Sequence, residues 1–382
     1  MSADGAARPE DAARLDESRM AVAAAAAHER WGTTRPNPTV GAAVFDATGE
    51  LIAVGVTEPP GGRHAEVVAL DAAGDRAAGG TIVVTLEPCN HTGRTGPCTA
   101  RIIAAGLARV VFAAHDPNPL ASGGAERLAA AGLEVRGGVG LTPDAAIPGA
   151  AGVLAGPLGP WLFRQQHGRP RVTWKYAASM DGRSAAADRT SQWITGPAAR
   201  AHTLERRSRY DAIVVGSGTV AADDPSLTAR DTDGERLEHQ PLRCAMGESE
   251  VQPGARIRGD GDGLFAHLRT RDPVAAIRSL DERLGRPTEE VLLEGGPRLA
   301  GAFLRAGLVD RVEAYIAPVF LGAGSSALGD AGVGTIDDAR RFTIEYVEVV
   351  GTDLFAELVP AETLPGSQGK YLPGSGAHPP AE

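Results

Sequence analysis

Cysteine is the scarcest residue that matters here: there are three among 382 residues. That is too few for a disulfide framework, so free thiols or metal ligands in a reducing compartment are the expectation. Aromatic residues make up only 4% of the chain, which leaves little material for the base-stacking platforms of single-strand binders. The formal charge is −10, and no basic stripe interrupts it. Clustered Lys and Arg supply most nucleic-acid affinity, so this distribution argues against a phosphate-tracking binder. No apolar run approaches the roughly 20 residues of a membrane-spanning helix. The opening "MSADGAARPEDAARLDESRM" is acidic and polar, unlike a signal peptide. A cytoplasmic protein with neither membrane nor nucleic-acid partner is expected.

Hydrophobic content of 43% and charged content of 23% are ordinary for a globular protein. The length allows two or three domains. After a lead expected to be disordered (1–10), a helix is predicted over 11–30, then the turn-rich "TTRPNPTVG" and a strand, "AAVFD". "HAEVVALDAAG" reads as a helix beginning near His64, and "GTIVVTLEP" as a buried strand. "CTARIIAAGLARVVFAA" and "AERLAAAGLEVRGGV" each read as helix, Gly, strand. Alternating helices and short apolar strands predict an α/β layered domain. The Gly- and Pro-rich stretch near 145–168 reads as a joint, and a second α/β pattern starts at "RPRVTWKYAASMDG". The predicted division is 11–146, a linker over 147–169, a second domain over 170–360, and a disordered tail over 361–382.

The chemistry concentrates in "HAE" at 64–66 and "EPCNHTGRTGPC" at 87–98. One imidazole and two thiolates, from His64, Cys89 and Cys98, suit zinc and leave a fourth tetrahedral position open. Zinc there lowers the pKa of water toward about 7. A proton carrier that is not a ligand is also needed, and Glu66 fits that part. Residues two apart on a helix differ by about 200°. His64 and Glu66 can therefore share a cleft only if His64 is still leaving a loop. Cys98 falls at a predicted helix start, where the local field favours a thiolate. A disulfide between Cys89 and Cys98 is set aside in favour of this open site. Cys244 is read as a buried thiol.

These residues resemble the zinc-dependent cytidine-deaminase-like fold, a three-layer α/β domain. Base deaminases use PCxxC, whereas eight residues separate Cys89 from Cys98 here. That insert, with "RPNPTVG" before it and "HDPNP" after it, resembles the deaminase half of the bifunctional riboflavin-biosynthesis deaminase/reductase family. The resemblance implies one zinc ion per chain on His64, Cys89 and Cys98, proton transfer by Glu66, and a pocket lined by Asn37 and His91.

In the second half, "VVGSGTVAA" contains GxGxxA, but "ADDPSLTAR" stops any helix after a few residues. A dinucleotide fingerprint needs that helix, so a Rossmann site is rejected. "LLEGGP" at 292–297 is a better candidate: a strand ends at Glu294, and a helix with Pro297 in its first turn follows. "KYAASMDGR", "SQWITG", "RRSRYDAIVVGSGTVAADDPSLTAR" and "LLEGGPRLAGAFLRAGLVDRVEAYIAPVFLG" stand in the order of the same family's reductase half. That half resembles dihydrofolate reductase in fold and uses NADPH. The resemblance implies cofactor contacts at Ala177, Trp193, Thr219, Asp223 and the turn of Gly296, Pro297, Arg298, Leu299, Ala300, Gly301 and Ala302. It implies substrate contacts at Ser191, Arg207, Leu227, Arg230 and Glu294. Arg207 and Arg230 suit a phosphate by their guanidinium geometry.

The likeness is weakest over 231–264, where "PLRCAMGESEVQPGARI" stands in for a β-rich stretch and its strand signal is diluted. The implied activity is deamination of a diaminopyrimidinone ribosyl phosphate followed by reduction of the ribose. Three alternatives stay open from the residues alone. They are a working deaminase with a degenerate reductase, a nucleic-acid base deaminase with an accessory domain, and a structural zinc module with His91 as fourth ligand. Homo-oligomerisation is not decided by the sequence.

Overall fold

The computed structural model describes residues 8–91, 96–119, 121–140, 152–259 and 261–361. The predicted lead over its first seven residues, the first part of the predicted linker and nearly all of the predicted tail lie outside the described residues.

The first domain runs α1 (Pro9–His28), β1 (Gly41–Phe45), β2 (Leu51–Val56), α2 (Ala65–Ala73), β3 (Thr81–Leu86), α3 (Cys98–Ala104), β4 (Arg109–Ala114), α4 (Gly124–Ala130) and β5 (Glu134–Arg136). Its sheet has the order β2-β1-β3-β4-β5. β1 is antiparallel to β2 and β3, while β3, β4 and β5 are parallel. Two glycines show how the layers form. A Cβ on Gly41 would stand 1.9 Å from the Ala23 carbonyl of α1, and one on Gly55 2.3 Å from the Ala65 carbonyl of α2. Gly55 pairs with Ala42 and so shares its face, whereas Gly41 points the other way. Helices therefore lie against both faces, which gives three layers.

The expected joint is folded over its second half. α5 (Leu158–His167) carries Leu158, Trp161 and Leu162 into the first domain's core beside Met20 and Val44. Glycine and proline masked this helix in the sequence.

The second domain runs β6 (Arg171–Ser179), α6 (Pro197–Arg206), β7 (Ala212–Gly216), α7 (Ser217–Asp223), β8 (Leu242–Met246), β9 (Phe265–Leu268), α8 (Pro273–Arg278), α9 (Leu280–Leu284), β10 (Glu290–Leu293), α10 (Pro297–Arg305), β11 (Arg311–Ala317), β12 (Phe342–Val350) and β13 (Asp353–Pro360). Its eight-stranded sheet has the order β12-β13-β11-β6-β10-β7-β8-β9. From β11 to β9 the strands are parallel, and β13 and β12 add an antiparallel edge. The weak stretch 231–264 does contain a strand. β8 is buried along its length, and its charged Arg243 is paired with Asp262 and donates to the Leu264 carbonyl. α7 is only seven residues long, in keeping with the rejection of a dinucleotide fingerprint. Among the described residues no helix is long and apolar enough to cross a membrane.

The contact of α1 with Gly41 yields a stability test. Gly41→Val is expected to destabilise the first domain by about 3 kcal/mol, because backbone must move to admit the side chain. An unchanged urea midpoint would contradict the packing described.

Candidate active sites

His64 ends the loop before α2 with extended backbone (φ −72°, ψ 157°), and Glu66 lies in the first turn behind it. The arrangement satisfies the condition set by the sequence, since His64 is outside the helix and the angular restriction does not apply. Cys89 follows β3, and Cys98 opens α3. His64 Nδ1 lies 3.6 Å from Cys89 Sγ and 3.3 Å from Cys98 Sγ. The Cys98 N–H donates to Cys89 Sγ at 3.5 Å. Zinc with bonds of about 2.3 Å to sulfur and 2.0–2.1 Å to nitrogen spaces tetrahedral donors about 3.6 Å apart, so these three atoms fit it.

All three donors lie within 4.8 Å of one another, and His91 is not part of that group. Among the described residues the cluster therefore has three members, as an open site requires. No cysteine is in a disulfide. Of the two thiols, Cys89 is the more acidic, lowered by the hydrogen bond from Cys98 and by His64. Cys98 is held up by sharing that bond and by burial. The N–H that Cys98 offers at the start of α3 serves Cys89 Sγ. Burial raises the Glu66 carboxyl, and the negative Cys89 adds to the effect. Cys244 is fully buried on β8, and burial pushes its thiol up to about 12.

A cavity of about 330 Å³ opens above the donors, lined by Asn37, Glu66, Cys89 and His91 among others. Two lining residues, Trp161 and Gln165, come from α5 and were not foreseen. Glu87 was also missed. Its Oε2 meets His115 Nδ1 at 3.0 Å, and its Oε1 accepts from Ala125 N at 3.0 Å. That carboxylate ties the ends of β3 and β4 to the start of α4, so it holds the cysteine loop in place. Residues 92–95 of the insert lie outside the described residues.

In the second domain, β6, β10 and β7 are neighbours, and the expected contacts gather at their carboxyl ends. Open parallel sheets bind ligands in that crevice. Ala177 is near the end of β6, Thr219 is on α7, and Gly296 caps α10. A Cβ on Gly296 would lie 3.3 Å from Thr219 Oγ1, so the starts of α7 and α10 adjoin. Pro297, Arg298 and Leu299 form the first turn of α10. Ala300 and Gly301 face inward: Ala300 is in the core, and a Cβ on Gly301 would stand 2.3 Å from the Asp330 carbonyl. Ala302 is half-buried, and Asp223 is exposed at the end of α7.

Trp193 is 69% exposed, with the Arg200 guanidinium 4.5 Å from its ring centre. Ser191, half-buried, stands two residues before it. Leu227 has φ +53° and a side chain buried with Ile213 and Val215. Arg207 forms a two-pronged pair with Glu294, at 2.7 and 2.9 Å, and donates to the Thr228 carbonyl at 3.2 Å. Burial would raise Glu294, but the Arg207 charge and hydrogen bonds outweigh it and hold the carboxyl low. Arg230 donates to Thr228 Oγ1 at 3.0 Å and to the Gly234 carbonyl. Lys175, half-buried on β6, is a further charge that the sequence reading passed over inside "KYAASMDG". Burial lowers its pKa against the raising effect of Glu294.

Fold and sites together define a two-domain enzyme, a deaminase of the zinc-binding type joined to a reductase. Residues 13–114 match the family model for the cytidine and deoxycytidylate deaminase zinc-binding region, and 170–356 match the RibD C-terminal domain. The chain is 50% identical over 345 residues to the riboflavin biosynthesis protein RibD of Mycobacterium tuberculosis, covering 90% of this chain and 97% of that one. Its fold matches RibD of Acinetobacter baumannii with a TM-score of 0.77 at 33% identity, covering 91% and 99%. A Thermotoga maritima diaminohydroxyphosphoribosylaminopyrimidine deaminase/5-amino-6-(5-phosphoribosylamino)uracil reductase matches at 0.77 and 30% identity, covering 92% and 100%. The chain belongs to the RibD family of bifunctional deaminase–reductases of riboflavin biosynthesis. The rival readings, a nucleic-acid base deaminase or a degenerate reductase, are not favoured.

Cys89→Ser and Cys98→Ser are each expected to cut bound zinc, measured by elemental analysis, well below that of the unaltered chain. Full retention in both variants would refute the ligand assignment.

Proposed function

We propose that the first domain deaminates 2,5-diamino-6-(5-phospho-ribosylamino)pyrimidin-4(3H)-one, and that the second reduces the ribosyl group of the product to ribityl with NADPH. The supporting observation is the convergence of His64, Cys89 and Cys98 under a cavity into which Glu66 and Asn37 also open. Zinc on those three ligands would supply the acidity that makes water nucleophilic near neutral pH. Glu66 takes a proton from that water and passes it to the departing ammonia, and its burial beside the donors suits a group that changes protonation state. Asn37 and His91 hold the pyrimidine ring in the cavity.

In the second domain a bound nicotinamide would supply the hydride needed at C1′ of the sugar, which a ring-opened imine form accepts best. Ala177, Thr219 and the α10 turn seat the cofactor, with Trp193 and Asp223 at its rim. Arg230 is the better phosphate ligand, because the Glu294 carboxylate already neutralises Arg207, whereas Arg230 donates to the neutral Thr228 hydroxyl and Gly234 carbonyl. Ser191, Glu294 and the Leu227 backbone then face substrate. Reading NADPH rather than NADH rests on the family alone.

The chain is further proposed to act in the cytoplasm and to self-associate. Ile344, Val347 and Val349 stand exposed on edge strand β12, where a second copy would cover them. Val349→Asp is expected to shift sedimentation toward a smaller species, and no shift would remove β12 as the contact.

Glu66→Gln is expected to keep zinc and lower ammonia release by about 10²–10⁴-fold, the usual worth of a general acid–base group. Reductase turnover, followed by loss of reduced-nicotinamide absorbance on the deaminated substrate, should be unchanged. Full ammonia release by the variant would sink the mechanism.

A further inference from the structure

The deaminase pocket takes two of its walls from segments that are gripped by the reductase domain. The first is the turn Thr34–Asn37. Asn37 N donates to the Thr34 carbonyl at 3.0 Å, and Thr34 Oγ1 donates back to the Asn37 carbonyl at 3.1 Å. Asn37 faces the cavity, while Arg35, in the same turn, runs the other way into the second domain. Its Nη1 is 2.9 Å from Asp211 Oδ1, its Nε 3.2 Å from Glu289 Oε2, and its Nη2 3.6 Å from Glu290 Oε2. Nη2 also donates to the Arg209 carbonyl at 2.9 Å.

The carboxylates are themselves fixed. Asp211 accepts from the backbone N–H groups of Glu289 and Glu290 at 2.8 and 2.9 Å, and pairs with Arg286 at 2.6 Å. Glu290 pairs with Arg171 at 2.6 Å. Three guanidiniums thus balance three carboxylates, with Arg35 only 3% exposed at its side chain.

The second wall is α5, whose Trp161 and Gln165 line the cavity. Between them, Arg164 reaches the reductase domain: Nη1 donates to the Thr288 carbonyl at 2.7 Å, and Nη2 pairs with Asp281 at 2.5 Å. Thr288, Glu289 and Glu290 are consecutive. One short segment leading into β10 therefore holds both walls.

We propose that this segment braces the deaminase pocket, with Arg35 a positioning residue for Asn37 and Arg164 a positioning residue for Trp161 and Gln165. A buried ionic cluster adds little net stability compared with apolar packing of the same volume. What it does supply is direction, because a guanidinium fork with several fixed acceptors has few orientations open to it. The cluster lies at the amino ends of β7 and β10, whereas the expected reductase contacts lie at their carboxyl ends. Loosening the brace should therefore disturb deamination and spare reduction.

The inference rests on reading Asn37 as a substrate contact, so Asn37→Ala is the accompanying variant. If it leaves deaminase KM unchanged, that reading fails and the inference with it. The main variant is Arg35→Met combined with Glu289→Gln, which removes one charge of each sign and keeps the buried cluster balanced. The full-length, zinc-loaded protein is assayed twice, for ammonia release from the diaminopyrimidinone and for NADPH oxidation on the deaminated pyrimidine. The expected result is a deaminase KM raised about tenfold or more with zinc content and reductase kinetics unchanged, as misplacement of a binding group predicts. With Asn37→Ala impaired, an unchanged deaminase KM in the double variant overturns the proposal. Parallel loss of both activities also overturns it, since that assigns the cluster a structural role only. Arg164→Met, on a partly exposed side chain, gives the same readout for the second brace and decides the matter if the double variant does not fold.

Discussion

Three donor atoms must stand within bonding reach of one point, and much of the first domain is arranged to meet that constraint. His64, Cys89 and Cys98 come from the start of one helix, the end of one strand and the start of another helix. None of these positions is free to move alone. α2 is set by its contact with Gly55, and α4 approaches so closely that a Cβ on Gly124 would stand 1.8 Å from the Pro88 carbonyl. Asn90 then ties the cysteine loop to both flanking helices, accepting from Thr99 and Arg127 at 3.2 Å each. Small residues at the contacts allow the elements to approach, and buried polar groups fix their register.

The second domain meets a different demand. Its parallel strands are buried on both faces, so any charge within them needs a partner. Arg243 has Asp262, Glu313 has Arg206 from α6, and Arg171 has Glu290. Buried ions are expensive to strand and contribute little when paired. Their abundance here is better understood as fixing strand ends and the domain junction than as adding stability. The exposed pairs, such as Arg76 with Glu50, are screened by solvent and decide neither.

How legible all this was in the sequence depended on whether the signal was local. The HxE and two-cysteine pattern is a local demand, and it led to the donors and to the right side of the helix boundary at His64. The β10–α10 turn was equally readable, because Gly295, Gly296 and Pro297 punctuate it. Other features depended on distant partners. β8 reads poorly because Arg243 interrupts an apolar run, and Asp262, which makes that charge acceptable, is far along the chain. β12 reads poorly because the register shifts between Ile344 and Tyr346, breaking the alternation that marks a strand. β2 was passed over since Gly55 weakens it as a strand, and the reason for that glycine is a helix packed above it. The pocket residues of α5 were hidden by the same logic. Gly156, Pro157, Gly159 and Pro160 look like a joint, and only the core around Leu158 and Leu162 shows a helix.

Two buried glutamates sum up how environment divides labour between the halves. Glu66 and Glu294 are of one residue type and both are shielded from water, yet their carboxyls move in opposite directions. Burial and the neighbouring Cys89 thiolate hold the Glu66 proton more tightly. Glu294 is gripped by the two-pronged Arg207, whose charge outweighs the cost of burial. A carboxyl whose pKa is raised suits proton transfer beside a metal, and one whose pKa is lowered suits orienting a ligand. A divalent cation on His64, Cys89 and Cys98 would pull Glu66 back toward ionisation, bringing it closer to balance between accepting and returning a proton. No comparable balance is open to Glu294 while Arg207 holds it. The same side chain is thus fitted to exchange in one domain and to constancy in the other.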